Sequence, residues 1–356
     1  MCRTWYDSKR RLVRDVDCGS WRIWLDVEIR RVDCPVCGMV KTETLAWLAK
    51  SGHQSERFVQ RVGRRCREAS VSSVAEEFGL HWETVKSLDI QYMQRQLDDH
   101  PIEPPRVIGK DEISVRKGHE YRIVVHDLER RRAIWFGGED RSTKSMDQFY
   151  QALGIEACGG IEIGVMDMWK AFERSFQSHC PKGKIAYDHF HISQHLGRAI
   201  DAIRRAEYKR VDSDKRRFIK GQRYNLLSNR ENLDRKGRLE LEQLLKANAR
   251  LNKAYLLKES FDQLWTYRSA TWARKFFEGW KRSLRWQRLK PLEDFADMID
   301  RHWDGVVAMA GFNETIPMGF VEGMNNKIRT IQRRAYGIRD EEYLRLKILT
   351  TGLPAW

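Results

Sequence analysis

The chain has 356 residues, 41% of them hydrophobic, which is too long for one ordinary domain and rich enough for a sizeable core. Its 65 Lys and Arg against 50 Asp and Glu give a net charge of +15, which points to a polyanionic partner, nucleic acid being the commonest, with a generally basic protein as the bland alternative. No run approaches the roughly 18 apolar residues of a membrane helix, and the N-terminus lacks the apolar core of a secretion signal, so a soluble cytoplasmic protein with no membrane partner is expected.

Residues 1–50 read as a β-rich, Arg-rich region. "RLVRDV" and "WRIWLDVEIRRV" alternate, with Cys18-Gly19-Ser20 as the turn between them. "CPVCG" follows, and a C-x-x-C before Gly is the usual form of a zinc knuckle. Cys34 and Cys37 would be two zinc ligands, with Cys2, Cys18 or His53 as candidates for the rest. The competing reading is a pair of reduced thiols without metal. The seven cysteines are odd in number and unevenly spaced, which argues against a disulfide framework.

Residues 51–100 read as helices. "ERFVQRVGRRCREA" has apolar residues at 58, 59, 62 and 66, a helical spacing. A short helix, a "FGL" turn and a second helix from about His81 then suggest a helix-turn-helix. Val74, Ala75, Gly79, Leu80 and Val85 fall where that motif buries small and aliphatic residues. Trp82, Glu83, Thr84 and Lys86 would stand near the start of the second helix, where such helices read the major groove. A plain helical hairpin fits the same pattern.

"DDHPIEPPRV" (98–107) is a proline-rich linker. Beyond it, strands are predicted at about 107–116, 120–127 and 132–136, then a helix at 142–153 and a strand ending at Asp167. A helix at 169–178, a strand ending at Asp188 and a long helix from 189 complete the series. This order predicts an α+β multidomain chain whose region from 101 onward holds a mixed sheet with helices on its faces. Residues about 205–310 read as helical throughout, and a last helix as about 321–335. Residues 201–300 carry 25 Lys and Arg against 15 Asp and Glu, so most of the excess charge lies there and favours a binding face.

Three carboxylates stand out by position. Asp111 lies in the first strand of this region, Asp167 at a strand end, and Glu322 at the opening of a helix. By strand alternation Asp111 shares a face with Ile113 and Val115, while Glu112 points the other way with Lys110, toward water or a salt bridge. Carboxylates that converge repel by on the order of 4 kcal/mol per pair at about 4 Å. A hard divalent cation such as Mg²⁺ turns that repulsion into binding. An isolated strand Asp is more often a turn or salt-bridge residue; the combined placement is what raises the metal reading.

The segments "DEISVRKGHEYRIVVHDLE", "VMDMWKAF", "DHFHISQHL" and "GFVEGMNNKIRTIQRRAYGIRDEEYLRLK" resemble the insertion-sequence transposases of the ISL-three family. The resemblance covers nearly the whole chain, and the blocks around the acids are its specific part. It implies a ribonuclease-H-like core with a large helical insertion, using Asp111, Asp167 and Glu322 as the DDE acids. Two Mg²⁺ or Mn²⁺ ions would activate water to nick the element's end, then activate the freed 3′-hydroxyl to attack target DNA. The partners implied are double-stranded DNA, as terminal inverted repeats and target, and a second copy of the chain, at the nucleoid of a prokaryotic cell. The family pattern has a hydrophobic residue before the first Asp, where this chain has Lys110. The wider family also has a second C-x-x-C, where this chain keeps only Cys2. A nuclease of the same fold, and a regulator or impaired copy that keeps only end binding, are the alternatives.

Three further features bear on function. Glu322, Asn326, Arg329 and Arg333 share one helical stripe, which reads as a metal ligand flanked by phosphate-binding groups. Asp188, His191 and His195 could form a zinc site, but a helix N-cap by Asp188 with packed histidines is favoured. The family block also implies that Asp188 and His191 lie near the site. "KRSLRWQRLK" (281–290) could track a DNA backbone. Burial is the commoner fate of a Trp, so the expectation there rests on the charge and not on Trp286.

Overall fold

A computed structural model describes residues 4–116, 120–308 and 319–355. It divides into two compact units. One holds the residues up to Glu103, Arg132–Phe136 and Met324 onward; the other holds Pro104–Arg131 and Gly137–Gly323. Among the described residues, no helix is long and apolar enough to cross a membrane.

The chain opens with an antiparallel pair, β1 (Thr4–Arg14) and β2 (Trp24–Asp33), to which the short β3 (Val40–Thr42) is added. The turn at Cys18 is closed by mutual Cys18–Trp21 backbone bonds of 3.0 Å, with Gly19 at φ +59°. "CPVCG" folds as a tight turn in which the Gly38 N–H donates to the Cys34 carbonyl at 2.8 Å.

Three helices follow: α1 (Glu56–Cys66), α2 (Val71–Phe78) and α3 (Trp82–Asp99). Ser55 and Ser70 cap α1 and α2 by accepting from the N–H groups of Phe58 and Ser73, which satisfies donors a helix start leaves open. Gly79 ends α2 in the left-handed conformation at φ +61°, and a Cβ there would come within 2.1 Å of the Arg22 guanidinium. Val74 and Val85 are fully buried and Ala75 nearly so, as a helix-turn-helix requires.

The next region alternates strands and helices: β4 (Val107–Arg116), β5 (Glu120–Asp127), β6 (Arg132–Gly137), α4 (Thr143–Leu153), α5 (Ile155–Gly159), β7 (Ile163–Met166), α6 (Lys170–His179), β8 (Lys184–Tyr187) and α7 (His189–Arg210). The strand order is β6-β5-β4-β7-β8. β4 runs antiparallel to β5 and parallel to β7, which is parallel to β8. All four residues of β7 are buried, as expected of a strand covered on both faces. Gly164 makes room for the Phe176 ring of α6, which a Cβ would approach to 2.4 Å.

The expected helical stretch comprises α7 and then α8 (Ser213–Gly221), α9 (Arg223–Leu227), α10 (Arg235–Ala247), α11 (Ala249–Phe261), α12 (Ala270–Ser283), α13 (Lys290–Arg301) and α14 (Trp303–Val307). Ile203, Leu251, Phe277, Leu292 and Ile299 are fully buried in one core here. Each such burial contributes roughly 1.5–3 kcal/mol. Trp280 joins this core, but Trp286 does not. It is 95% exposed, which corrects the expectation of a buried ring.

Two helices close the chain, α15 (Gly319–Arg334) and α16 (Glu341–Thr350). α16 was not foreseen as a separate element. Its Tyr343 and Leu346 are buried in the same core as Phe58, Val74, Val85 and Leu88 of α1–α3.

Candidate active site

The sheet brings three carboxylates level with one another. In the parallel register Gly109 of β4 pairs with Val165 of β7, and Val165 pairs with Ala186 of β8. Two residues further along each chain stand Asp111, Asp167 and Asp188. Equal steps keep the same face, so the three acids occupy equivalent positions, Asp111 within β4 and Asp167 and Asp188 just beyond the ends of β7 and β8. The fourth acid arrives on α15. Gly109 lacks a side chain, and Val321 fills that space: a Cβ at Gly109 would lie 2.7 Å from Val321 Cγ2. Val321 is also packed with Val107, Val165 and Ala186. Glu322, the next residue, is exposed in the first turn of α15.

The acids sense one another. Burial, and then the charges of Asp111 and Glu322, raise the Asp188 carboxyl against the opposing Phe190 N–H and His191. Burial pushes Glu112 up to about 7, with Asp111 and Asp167 adding to the effect and Arg141 opposing it. Local backbone donors orient three of the groups. Asp111 Oδ1 accepts from the Glu112 N–H at 2.7 Å, Asp167 Oδ1 from the Met168 N–H at 2.7 Å, and Asp188 Oδ1 from the Phe190 N–H at 2.9 Å. Asp188 is therefore the N-cap of α7, as expected, and it also stands in the acid row, a closer part in the site than the near-site position read from the sequence.

Glu112 departs from the expectation in one respect. It has the salt bridge, to Arg141, but it is not on a solvent side: its side chain is 11% exposed. The reason is that this face of β4 is covered. Lys110, on the same face, is 3% exposed against Phe172 and Phe176. Lys110 thus points away from Asp111, as alternation predicts.

His191 lies near the acids, with Nδ1 3.7 Å from Asp188 Oδ2. His195 is partly buried, and burial lowers its pKa. Burial likewise pushes His189 down to about 4, and its ring stacks on Trp265 at 3.8 Å.

Among the described residues, no three His, Cys, Asp or Glu side chains are gathered closely enough to hold a metal ion. The donor chemistry of the acid row still suits a hard divalent cation, since every donor is a carboxylate oxygen and their mutual repulsion is what a cation relieves. The knuckle fits zinc less well. Cys34 is buried and Cys37 and Cys18 are exposed, while Cys2 lies outside the described residues. Two thiols on one turn fall short of the four ligands of a structural zinc.

The residues expected to touch DNA divide by environment. Trp82 is 49% exposed at the start of α3, and Thr84 is half-buried. The Lys86 ammonium is 2.7 Å from Asp340 and lies over the Tyr343 ring. Asn326, Arg329 and Arg333 are exposed on α15, with Arg329 donating to Asn326 Oδ1 at 2.9 Å.

Comparison with known proteins matches residues 108–348 to the ISL3 family of DDE domains described as transposase, and residues 43–93 to the helix-turn-helix domain of transposase family ISL3. The transposase for insertion sequence element IS1001 of Bordetella parapertussis is 35% identical, over 98% of this chain and 86% of that protein. The transposase for insertion sequence element IS1557 of Mycobacterium tuberculosis is 27% identical, over 96% of this chain and 82% of its own. With both domain matches and a relative of this similarity over nearly its whole length, the chain belongs to the ISL3 family of insertion-sequence transposases.

Proposed function

We propose that the protein binds the terminal repeats of its element through the helix-turn-helix and cuts and joins DNA strands at the row of acids. The observation that carries this reading is the register that sets Asp111, Asp167 and Asp188 level, with the helix of Glu322 packed beside them through Val321 and Gly109. The strand order and directions also support a ribonuclease-H-like core.

Asp111, Asp167 and Glu322 would hold divalent cations, and Asp188 is placed to share the load. Bound Mg²⁺ or Mn²⁺ supplies Lewis-acid stabilisation of the attacking and leaving oxygens in an in-line phosphoryl displacement. The chain's own part is to hold the carboxylates in one row by backbone donors. Trp82 and Thr84 would read base edges in the major groove, while Asn326, Arg329 and Arg333 would hold phosphates. Lys86 would have to leave Asp340 to join them. Joining two ends calls for at least two protomers on the DNA. Lys110 is buried on the opposite face from Asp111, which supports an active copy.

Asp167→Asn tests the assignment. End binding, measured by gel shift at fixed salt, should persist, while Mg²⁺-dependent nicking and strand joining of an end substrate should both vanish. Nicking that survived would sink the acid row as the reaction centre. A wild-type protein that nicks but never joins would leave a nuclease of the same fold.

A further inference from the structure

We propose that Trp286 is a stacking platform for an unpaired DNA base. The proposal rests on the reading that the chain acts on DNA and adds a site to it. Trp286 stands at the tip of the turn between α12 and α13 and is 95% exposed. A large apolar ring left in water contributes nothing to folding, and an indole offers a flat face on which a base can stack. The backbone holds it there at a cost. Trp286 and Arg288 both adopt left-handed conformations, at φ +68° and +54°, which side-chain-bearing residues rarely take.

The turn is fixed on both sides. Leu284 and Leu289 are buried beneath it, and the Arg250 guanidinium donates to the Arg288 carbonyl at 2.8 Å. The Gln287 N–H donates to the Leu284 carbonyl at 3.1 Å. An ordered ring loses little freedom on binding, which favours it as an anchor.

The surrounding charge names the partner. Lys281 is taken up by Asp297 and Asp300, and Lys290 by Asp294. Arg282, Arg285 and Arg288, within four residues of Trp286 in the chain, are exposed. An exposed flat ring on a turn that carries exposed arginines complements a polyanion that also offers a flat face, which is a nucleic-acid strand with a free base. A fully paired duplex offers the phosphates without that face. The arginines would therefore serve both forms of DNA, and the ring only the unpaired one.

The test uses the full chain with two DNAs of the same sequence at one salt concentration: a paired duplex, and a duplex in which 2-aminopurine stands unpaired in a one-base bulge. Wild type should prefer the bulged DNA and quench the 2-aminopurine. Trp286→Ala should weaken bulge binding by roughly five- to a hundredfold, leave duplex binding within about twofold, and abolish the quench. Trp286→Phe should keep most of the preference. Equal losses on both DNAs, or no loss on either, would overturn the proposal, as would a wild type with no preference for the bulge. A wild type that bound neither DNA would instead refute DNA binding itself.

Discussion

The ammonium nitrogen of Lys110 lies 2.9 Å from the carbonyl oxygen of Phe172 and 4.8 Å from the centre of that residue's ring. The residue beside the first acid is thus a tie between β4 and α6, and burial holds its pKa well below the ordinary lysine value. Lys110→Met keeps the shape without the desolvation, so urea denaturation should find it within about 1 kcal/mol of wild type or more stable. Lys110→Ala leaves a void and should cost on the order of 2–4 kcal/mol. If Met cost as much as Ala, the amino group itself would be needed. The sign with pH is also set: the unfolded chain holds this proton more tightly, so stability should rise as pH climbs toward 10.5, and the Met variant should flatten that rise.

Asp89 of α3 is fully buried, and its Oδ2 accepts from Tyr343 Oη at 2.5 Å and pairs with Lys347 Nζ at 2.5 Å. Removing one partner of a buried pair strands the other. Asp89→Asn or Lys347→Met alone should therefore cost about 3–5 kcal/mol, and the double variant should recover much of it. Thermal melts of the four proteins in the cycle measure this. Strictly additive losses would show that the pair is not coupled.

His126 on β5 is fully buried, and burial pushes its pKa down to about 4 from an ordinary 6.5. The unfolded chain takes up this proton before the folded one does. Stability contributed by the neutral ring is complete above about 6.5 and lost as pH falls toward 4, by about 3 kcal/mol over the window. His126→Gln should shrink that slope in melts taken between pH 7 and pH 4. An unchanged slope would exclude His126 as its source.

Arg141 is the partner of Glu112, whose side chain is 11% exposed while that of Arg141 is 48% exposed. Water already screens the arginine, so Arg141→Met should cost only about 1–2 kcal/mol at pH 8. Glu112→Gln added to it should restore most of the loss, because the stranded carboxylate is gone. A double variant as unstable as Arg141→Met alone, by chemical denaturation, would contradict this account.

Much of the sheet was legible because its local signals agree. Alternating apolar residues, the "LERRR" turn and the acids at strand ends predicted β4 and β5 to the residue, and strand parity separated Asp111 from Lys110. Parity could not say which faces are covered. Glu112 was read as facing water or a salt bridge because the packing that buries it beside Arg141 is set by tertiary structure. Asp188 was legible as a cap but not as a row member, since the row depends on the parallel register of β8 against β7. Trp286 misled for the converse reason. Composition favours burial of Trp, and only the backbone of one turn turns this ring outward. α16 went unseen because its apolar residues at 343, 344, 346, 348 and 349 suit a helix buried on several sides and keep no single stripe.

The sharing of one core by α1–α3 and α16 sets an order of events during synthesis. When Glu322 is added, the nascent chain already carries Asp111, Asp167 and Asp188. Tyr343 and Leu346, which seal the core around Phe58 and Leu88, have yet to be made. The acids of the sheet are thus translated before the last pieces of the helix-turn-helix core. A chain cut short of Tyr343 would leave that core with apolar side chains facing water.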